Sequence, residues 1–186
     1  HMWTRRQRQM CIRDSFNPSE YKKTFTYYES KDGTMVPLTY FHRKDVELNS
    51  QTPVFLYGYG GYNISIRPSF SRKYVGWLEL GGVVAIANLR GGGELGKKWH
   101  NAGRLKEKQN VFDDFLYASK YLEAEGVGNR KSTVISGRSN GGLLVGTSLV
   151  QNPNYFGATL PAVGVLDMLR FTEFTEGWGW RGDYGS

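Results

Sequence analysis

Gly137-Arg138-Ser139-Asn140-Gly141 is a G-x-S-x-G pentapeptide, the pattern of a serine set on a sharp turn for nucleophilic attack. With 24 glycines in 186 residues the string alone is weak, and its placement carries the weight. The β-rich run Ser132–Ser136 (STVIS) precedes it and the small-residue run Gly141–Val150 (GGLLVGTSLV) follows. Strand, turn and helix in that order are what a nucleophile elbow requires. Gly137 and Gly141 fit because a Cβ at either place would strike the strand or helix pressed against the turn. A serine nucleophile also needs a base for its proton and donors for the developing oxyanion. The amide of Asn140 is one such donor. The second belongs on the loop after an earlier strand, here Tyr57-Gly58-Tyr59-Gly60-Gly61-Tyr62, where a tyrosine hydroxyl can stand in for a backbone amide.

Two other glycine patterns mislead. Gly91, Gly93 and Gly96 satisfy G-x-G-x-x-G, but a dinucleotide site needs the last glycine to lead straight into an amphipathic helix. Lys97 to Gly103 (KKWHNAG) instead reads as polar and turn residues. Gly91 to Lys97 also approaches a P-loop, yet Lys98 stands where the magnesium-binding hydroxyl belongs. The stretch therefore reads as a loop whose glycines let backbones pass closely. His1, His42, His100 and Cys11 show no ligand spacing, so no metal and no cofactor is expected. His42 and His100 read as structural histidines, and Asn63-Ile64-Ser65 matches the glycosylation tripeptide without further support.

The elements that must position the serine are regular. Thr24–Glu29 and Val36–His42 read as an antiparallel pair joined by a turn at Lys31-Asp32-Gly33-Thr34. Val54–Tyr57 and Val83–Asn88 read as buried strands. Asn110, capping the amide of Asp113, opens a helix that Gly126 stops. Thr159–Val165 is one more strand. Buried strands alternating with helices predict the α/β class: a mostly parallel sheet with helices on both faces and an N-terminal antiparallel pair.

Composition narrows the class further. Aromatic residues make up 15% of the chain, enough to argue against disorder. No run of eighteen apolar residues spans a membrane, and one cysteine cannot staple a small secreted fold. The net charge of +7 raises a nucleic-acid or anionic surface as partner. Part of that charge sits in residues 1–15, where Arg5, Arg6, Arg8 and Arg13 face only Asp14. This segment has no periodicity and no signal-peptide core, and reads as a non-native leader ahead of a domain over residues 16–186. A basic arm for nucleic acid or lipid is its functional alternative.

FLYGYGGYNIS, VVAIANLRGGGELGKKWH, FDDF, ISGRSNGGLLVG, LPAVGVLDMLRF and GWGWRGDYGS occur here in order. Together they resemble the catalytic domain of the prolyl oligopeptidase family of serine peptidases, from about Glu20 to Ser186. Asn140 in GRSNGG favours the prolyl branch over oligopeptidase B relatives, which typically carry alanine there. The resemblance implies an α/β-hydrolase fold and hydrolysis of short peptides after proline. It makes Ser139 the nucleophile, with Tyr59 and Asn140 lining the oxyanion hole. Trp180 takes the place of a tryptophan that stacks on the substrate proline, and Tyr184, Val165 and Tyr62 match other walls of that pocket. Mammalian-type members have phenylalanine at Tyr62, so its hydroxyl makes the pocket slightly more polar.

The chain order in α/β-hydrolases is Ser, then Asp or Glu, then His. Residues 140–186 contain no histidine, and Asp167 and Asp183 fall in blocks ahead of the family's triad aspartate. The expectation is a partial catalytic domain that is inactive alone, with the triad Asp and His, a substrate-holding arginine and a propeller domain outside this sequence. Its implied partners are proline-containing peptides and those missing parts, with no nucleic acid and no membrane. An esterase or acylaminoacyl peptidase on the same fold is the enzymatic alternative, a basic nucleic-acid binder the non-enzymatic one. The sequence fixes no compartment.

Overall fold

The computed structural model describes residues 16–186 except Pro68 and Thr175, so the reading of residues 1–15 as a leader lies outside the described residues. Strand β1 (Tyr21–Glu29) turns at Gly33, whose φ of 83° only glycine adopts freely, and returns antiparallel as β2 (Met35–Arg43). Strands β3 (Val54–Tyr57), β4 (Val83–Ala87), β5 (Thr133–Arg138) and β6 (Ala158–Ala162) complete one sheet in the order β1-β2-β4-β3-β5-β6. The β2–β4 pairing is antiparallel and the remaining three are parallel. With the structural neighbours described below, this mixed sheet is the α/β-hydrolase fold.

Alternation along β3 explains why helices cover both faces. Val54 and Leu56 point into a core with Phe115, Leu122, Ile135 and Leu144, which comes from α3 (Gln109–Ala124), β5 and α4 (Asn140–Gln151). Phe55 points the other way and meets Tyr74 and Trp77 of α1 (Arg72–Glu79) at ring distances of 5.8 and 5.6 Å. The loop after β4 is anchored from beneath. The buried Arg90 guanidinium donates to Asp114 of α3 at 2.6 Å and to Asp32 of the β1–β2 turn at 2.5 Å. Ser30 donates to the same Asp114 carboxylate at 2.6 Å, so turn, loop and helix share one polar centre.

The expected elements form, with differences at their ends. Asn110 does not cap Asp113. It sits inside α3, and its side chain donates to the Ala102 carbonyl at 3.0 Å, because a short helical turn at Leu105–Glu107 already leads the chain into the helix. Strand β6 stops at Ala162 and does not run to Val165. Val163 takes a positive φ of 44°, and Gly164 then passes so close to Gly142 that neither has room for a side chain. Lys97–Asn101, expected as turn, is a five-residue helix, α2, drawn in by Trp99, which is buried and donates to the Leu89 carbonyl at 3.0 Å. Helix α1 was not foreseen: Gly76 and its paired N-terminal cations mask a short apolar face of Tyr74, Val75 and Leu78.

Candidate active site

A single residue separates β5 from α4. Strand β5 runs to Arg138, α4 starts at Asn140, and Ser139 joins them at φ 56° and ψ −116°. A non-glycine residue in that conformation is strained, and the surroundings must hold it there. Here the Ser139 amide donates to Ala162 of β6 at 2.9 Å, while its carbonyl accepts from the amides of Gly142 and Leu143 at 2.8 and 3.1 Å. A Cβ on Gly137 would collide with the Gly141 carbonyl, and one on Gly141 would lie 2.7 Å from the Gly58 carbonyl. Both flanking glycines are thus fixed by backbone contact. The Ser139 side chain is exposed above the sheet. As the first residue of α4, Asn140 has no intrahelical acceptor for its amide.

The glycine-rich loop after β3 reaches the same place. The Tyr59 ring packs beside Gly141, and the Tyr59 carbonyl accepts from Asn140 Nδ2 at 2.5 Å. Asn140 is buried, and its Oδ1 accepts from the Tyr184 hydroxyl at 2.9 Å and from Lys108 Nζ at 3.0 Å. The same Lys108 ammonium donates to the Gly60 carbonyl at 2.8 Å. One residue before Tyr184, the buried Asp183 accepts from the Tyr62 amide at 2.7 Å and pairs with His100 Nε2 at 3.0 Å. The Tyr62 and Tyr184 rings meet edge to face with centroids 5.7 Å apart, and Phe171 backs Tyr184 at 5.6 Å. Behind Tyr184 and Phe171 opens a cavity of about 850 Å³ that Arg104 and Met168 also line.

The structure therefore brings Ser139, Asn140, Tyr59, Tyr62 and Tyr184 into one connected cluster. Trp180 ends a short helical turn at Gly177–Trp180 and stands four residues before Tyr184, which closes the four-residue helix α5 (Arg181–Tyr184). It is half-buried and, among the described residues, pairs with no other ring. Val165 is half-buried in the segment after β6. Neither makes a hydrogen bond or ring contact that ties it to the cluster. Burial holds the phenols of Tyr59, Tyr62 and Tyr184 above the usual tyrosine range, Tyr62 at about 12, so all three are protonated donors at neutral pH. Burial also pushes the Lys108 ammonium down to about 8, against the opposing pull of Asp183.

Lys108, Asp183 and His100 escaped the sequence reading as parts of this cluster. Lys108 stands at the N-cap position of α3 without a capping bond, where a cation opposes the helix dipole. Such a placement calls for another reason. His100, read as structural, has its partner in Asp183. Among the described residues no three His, Cys, Asp or Glu side chains gather as a metal group would, and no helix is long and apolar enough to cross a membrane.

The sequence profile of the prolyl oligopeptidase family matches residues 68–185, from α1 through the elbow to α5. The chain belongs to the prolyl oligopeptidase family. Among family members, the prolyl endopeptidase of Elizabethkingia meningoseptica is 47% identical over 171 residues, covering 92% of this chain and 24% of that protein. The prolyl endopeptidase of Dictyostelium discoideum is 44% identical over 175 residues, covering 92% and 23%. A structure from a mechanistic study of two prolyl endopeptidases superposes with a TM-score of 0.90 at 48% identity, covering 92% of this chain and 25% of that one. Prolyl oligopeptidase B of Galerina marginata, bound to a 25mer macrocyclization substrate, also gives 0.90, at 39% identity. The chain thus spans about a quarter of the length of the family members it matches.

Proposed function

We propose that this chain is part of the catalytic domain of a longer serine endopeptidase that cleaves short peptides on the carboxyl side of proline, with Ser139 as nucleophile. The observation that carries the proposal is Ser139 at φ 56° between β5 and α4, beside an Asn140 whose side chain is tied to both the Tyr59 loop and Tyr184. The family's prolyl endopeptidases support the substrate class.

In this reading the Ser139 oxygen attacks the carbonyl carbon after proline while a base takes its proton. The carbonyl oxygen becomes an anion and is received by the Asn140 amide and the Tyr59 hydroxyl. Collapse of the tetrahedral adduct expels the amine with a proton and leaves an acyl-serine, which water then hydrolyses. The proline ring lies among Trp180, Tyr184, Val165 and Tyr62, where aromatic faces suit a compact apolar ring. The triad Asp and His lie outside residues 1–186, since no histidine follows Ser139. Residues 1–15 are a leader foreign to the enzyme.

The test is hydrolysis of a proline anilide by the full-length protein. Cleavage is expected, and Ser139→Ala is expected to remove it. Activity that survives Ser139→Ala, or an ester cleaved while proline anilides stay intact, would defeat the reading. The 186-residue chain alone is expected to leave the reporter uncut, because an unassisted serine hydroxyl is a poor nucleophile.

A further inference from the structure

Lys108 is out of place by two ordinary criteria. Its ammonium is partly withdrawn from water, which disfavours the charge, and it stands at the positive end of α3. Among the described residues it forms no ion pair: its hydrogen bonds go to the Gly60 carbonyl at 2.8 Å and Asn140 Oδ1 at 3.0 Å. Its Nζ also lies 5.4 Å from the centre of the Tyr184 ring. It touches both segments that carry the proposed oxyanion donors.

We infer that Lys108 is a positioning residue for the oxyanion hole: its ammonium holds the Gly60 carbonyl and the Asn140 side chain together, and so sets the Tyr59 hydroxyl against the Asn140 amide. Gly60 adjoins Tyr59, and its φ of 63° with Val111, Leu89 and Arg90 pressed around it leaves the loop no side chain of its own to lock it. Asn140 Nδ2 already grips the Tyr59 carbonyl. Lys108 adds the second tie, one residue further along, from a different helix. Two ties on consecutive carbonyls fix the direction of the loop where one would leave it free to pivot. The inference rests on the peptidase reading above, because an oxyanion hole has work only if Ser139 forms a tetrahedral adduct.

The experiment uses the full-length enzyme with Lys108→Met, which keeps the length and removes the donors, and Lys108→Gln, which keeps an uncharged NH2 donor group. Whichever variant retains the wild-type thermal midpoint is read by its KM and kcat on a proline anilide. Misplacing a reacting group by about 1 Å costs on the order of 100-fold, so kcat is expected to fall by roughly 10- to 100-fold with KM changed less than about threefold. Affinity for a peptide aldehyde ending in proline, whose adduct with serine carries the oxyanion, is expected to fall in step with kcat. A folded variant with wild-type kcat overturns the inference. So does a loss that appears in KM instead, and so does failure of both variants to fold, which would make Lys108 a structural residue. Ser139→Ala run in parallel separates the two claims. If proline anilides are not cut but an ester is hydrolysed through Ser139, the substrate reading fails and Lys108 is judged on the ester. If no reporter depends on Ser139, both fail together.

Discussion

Asn140 commits both polar atoms of its side chain to neighbours, while its amide is the group that the proposed mechanism assigns to the oxyanion. Nδ2 holds Tyr59, Oδ1 receives Tyr184 and Lys108, and burial makes each of these bonds count. In the proposed mechanism Tyr59 acts through its hydroxyl, so Tyr59→Phe in the full-length enzyme is expected to lower kcat by about 100-fold, the cost of one lost oxyanion donor, with KM little changed. Proline-anilide kinetics check this, and an unchanged kcat would remove Tyr59 from the oxyanion hole. The pentapeptide made the turn at Ser139, between a strand and a helix, legible in the sequence. The Asn140 side chain was not, because its partners lie 81, 44 and 32 residues away. Lys108 also has a pH signature. Its folded value of about 8 lies below the ordinary 10.5, so between these the unfolded chain holds a proton that the folded chain has released. Stability from this group therefore rises with pH across that window. Wild type is expected to gain on Lys108→Met in urea midpoint between pH 8 and 10.5, and parallel curves would contradict the assignment.

Glycines decide how closely the elements approach. At Gly137 an added methyl meets the Gly141 backbone, which cannot swing aside as a side chain can. Gly137→Ala is expected to cost about 3 kcal/mol or more, because either β5 or α4 must move. Gly182→Ala in α5 meets nothing within 4 Å and is expected to be neutral or slightly stabilising. Thermal midpoints of the two variants settle the contrast. The same geometry explains which element ends were legible. Val54–Tyr57 emerged with its true bounds because a buried strand between turn residues is a local signal. The end of β6 did not, because it is dictated by Gly142 pressing on Gly164 across the fold. The cap on α3 failed for a similar reason: Asn110 satisfies a preceding loop in place of its own helix.

At the scale of the whole sheet, one buried polar centre joins the hairpin to the parallel part. Arg90, Asp114, Ser30 and Asp32 bind the hairpin to the parallel strands through α3. Removing Arg90 strands a buried carboxylate, so Arg90→Met is expected to destabilise by about 3–5 kcal/mol in urea unfolding. Asp32 is half-exposed, and Asp32→Asn is expected to cost under about 1 kcal/mol. Arg90 holds the Asp32 carboxyl down at about 2, so its contribution is complete above pH 3.8 and is lost as pH falls through 2. The opposite side differs. In this chain β6 is an edge strand, and Leu160, Val163, Leu166 and Leu169 are exposed on and beside it. Such an edge invites pairing, so the isolated chain is expected to self-associate at micromolar concentration. Light scattering from a monodisperse monomer would contradict this.

The bond between the Tyr62 amide and Asp183 spans 121 residues of sequence. During synthesis Tyr62 leaves the ribosome long before Asp183 exists, and the sheet from β1 to β5 can pair in the interval. The Tyr62 end of the loop lacks this bond until then, whereas the Tyr59 end can already be held by Asn140 and Lys108. Closing so wide a loop comes late in folding, after nearer contacts have formed. A chain cut back before Asp183 is therefore expected to keep Ser139 turned between β5 and α4 while the Tyr62 end of the loop stays unfastened.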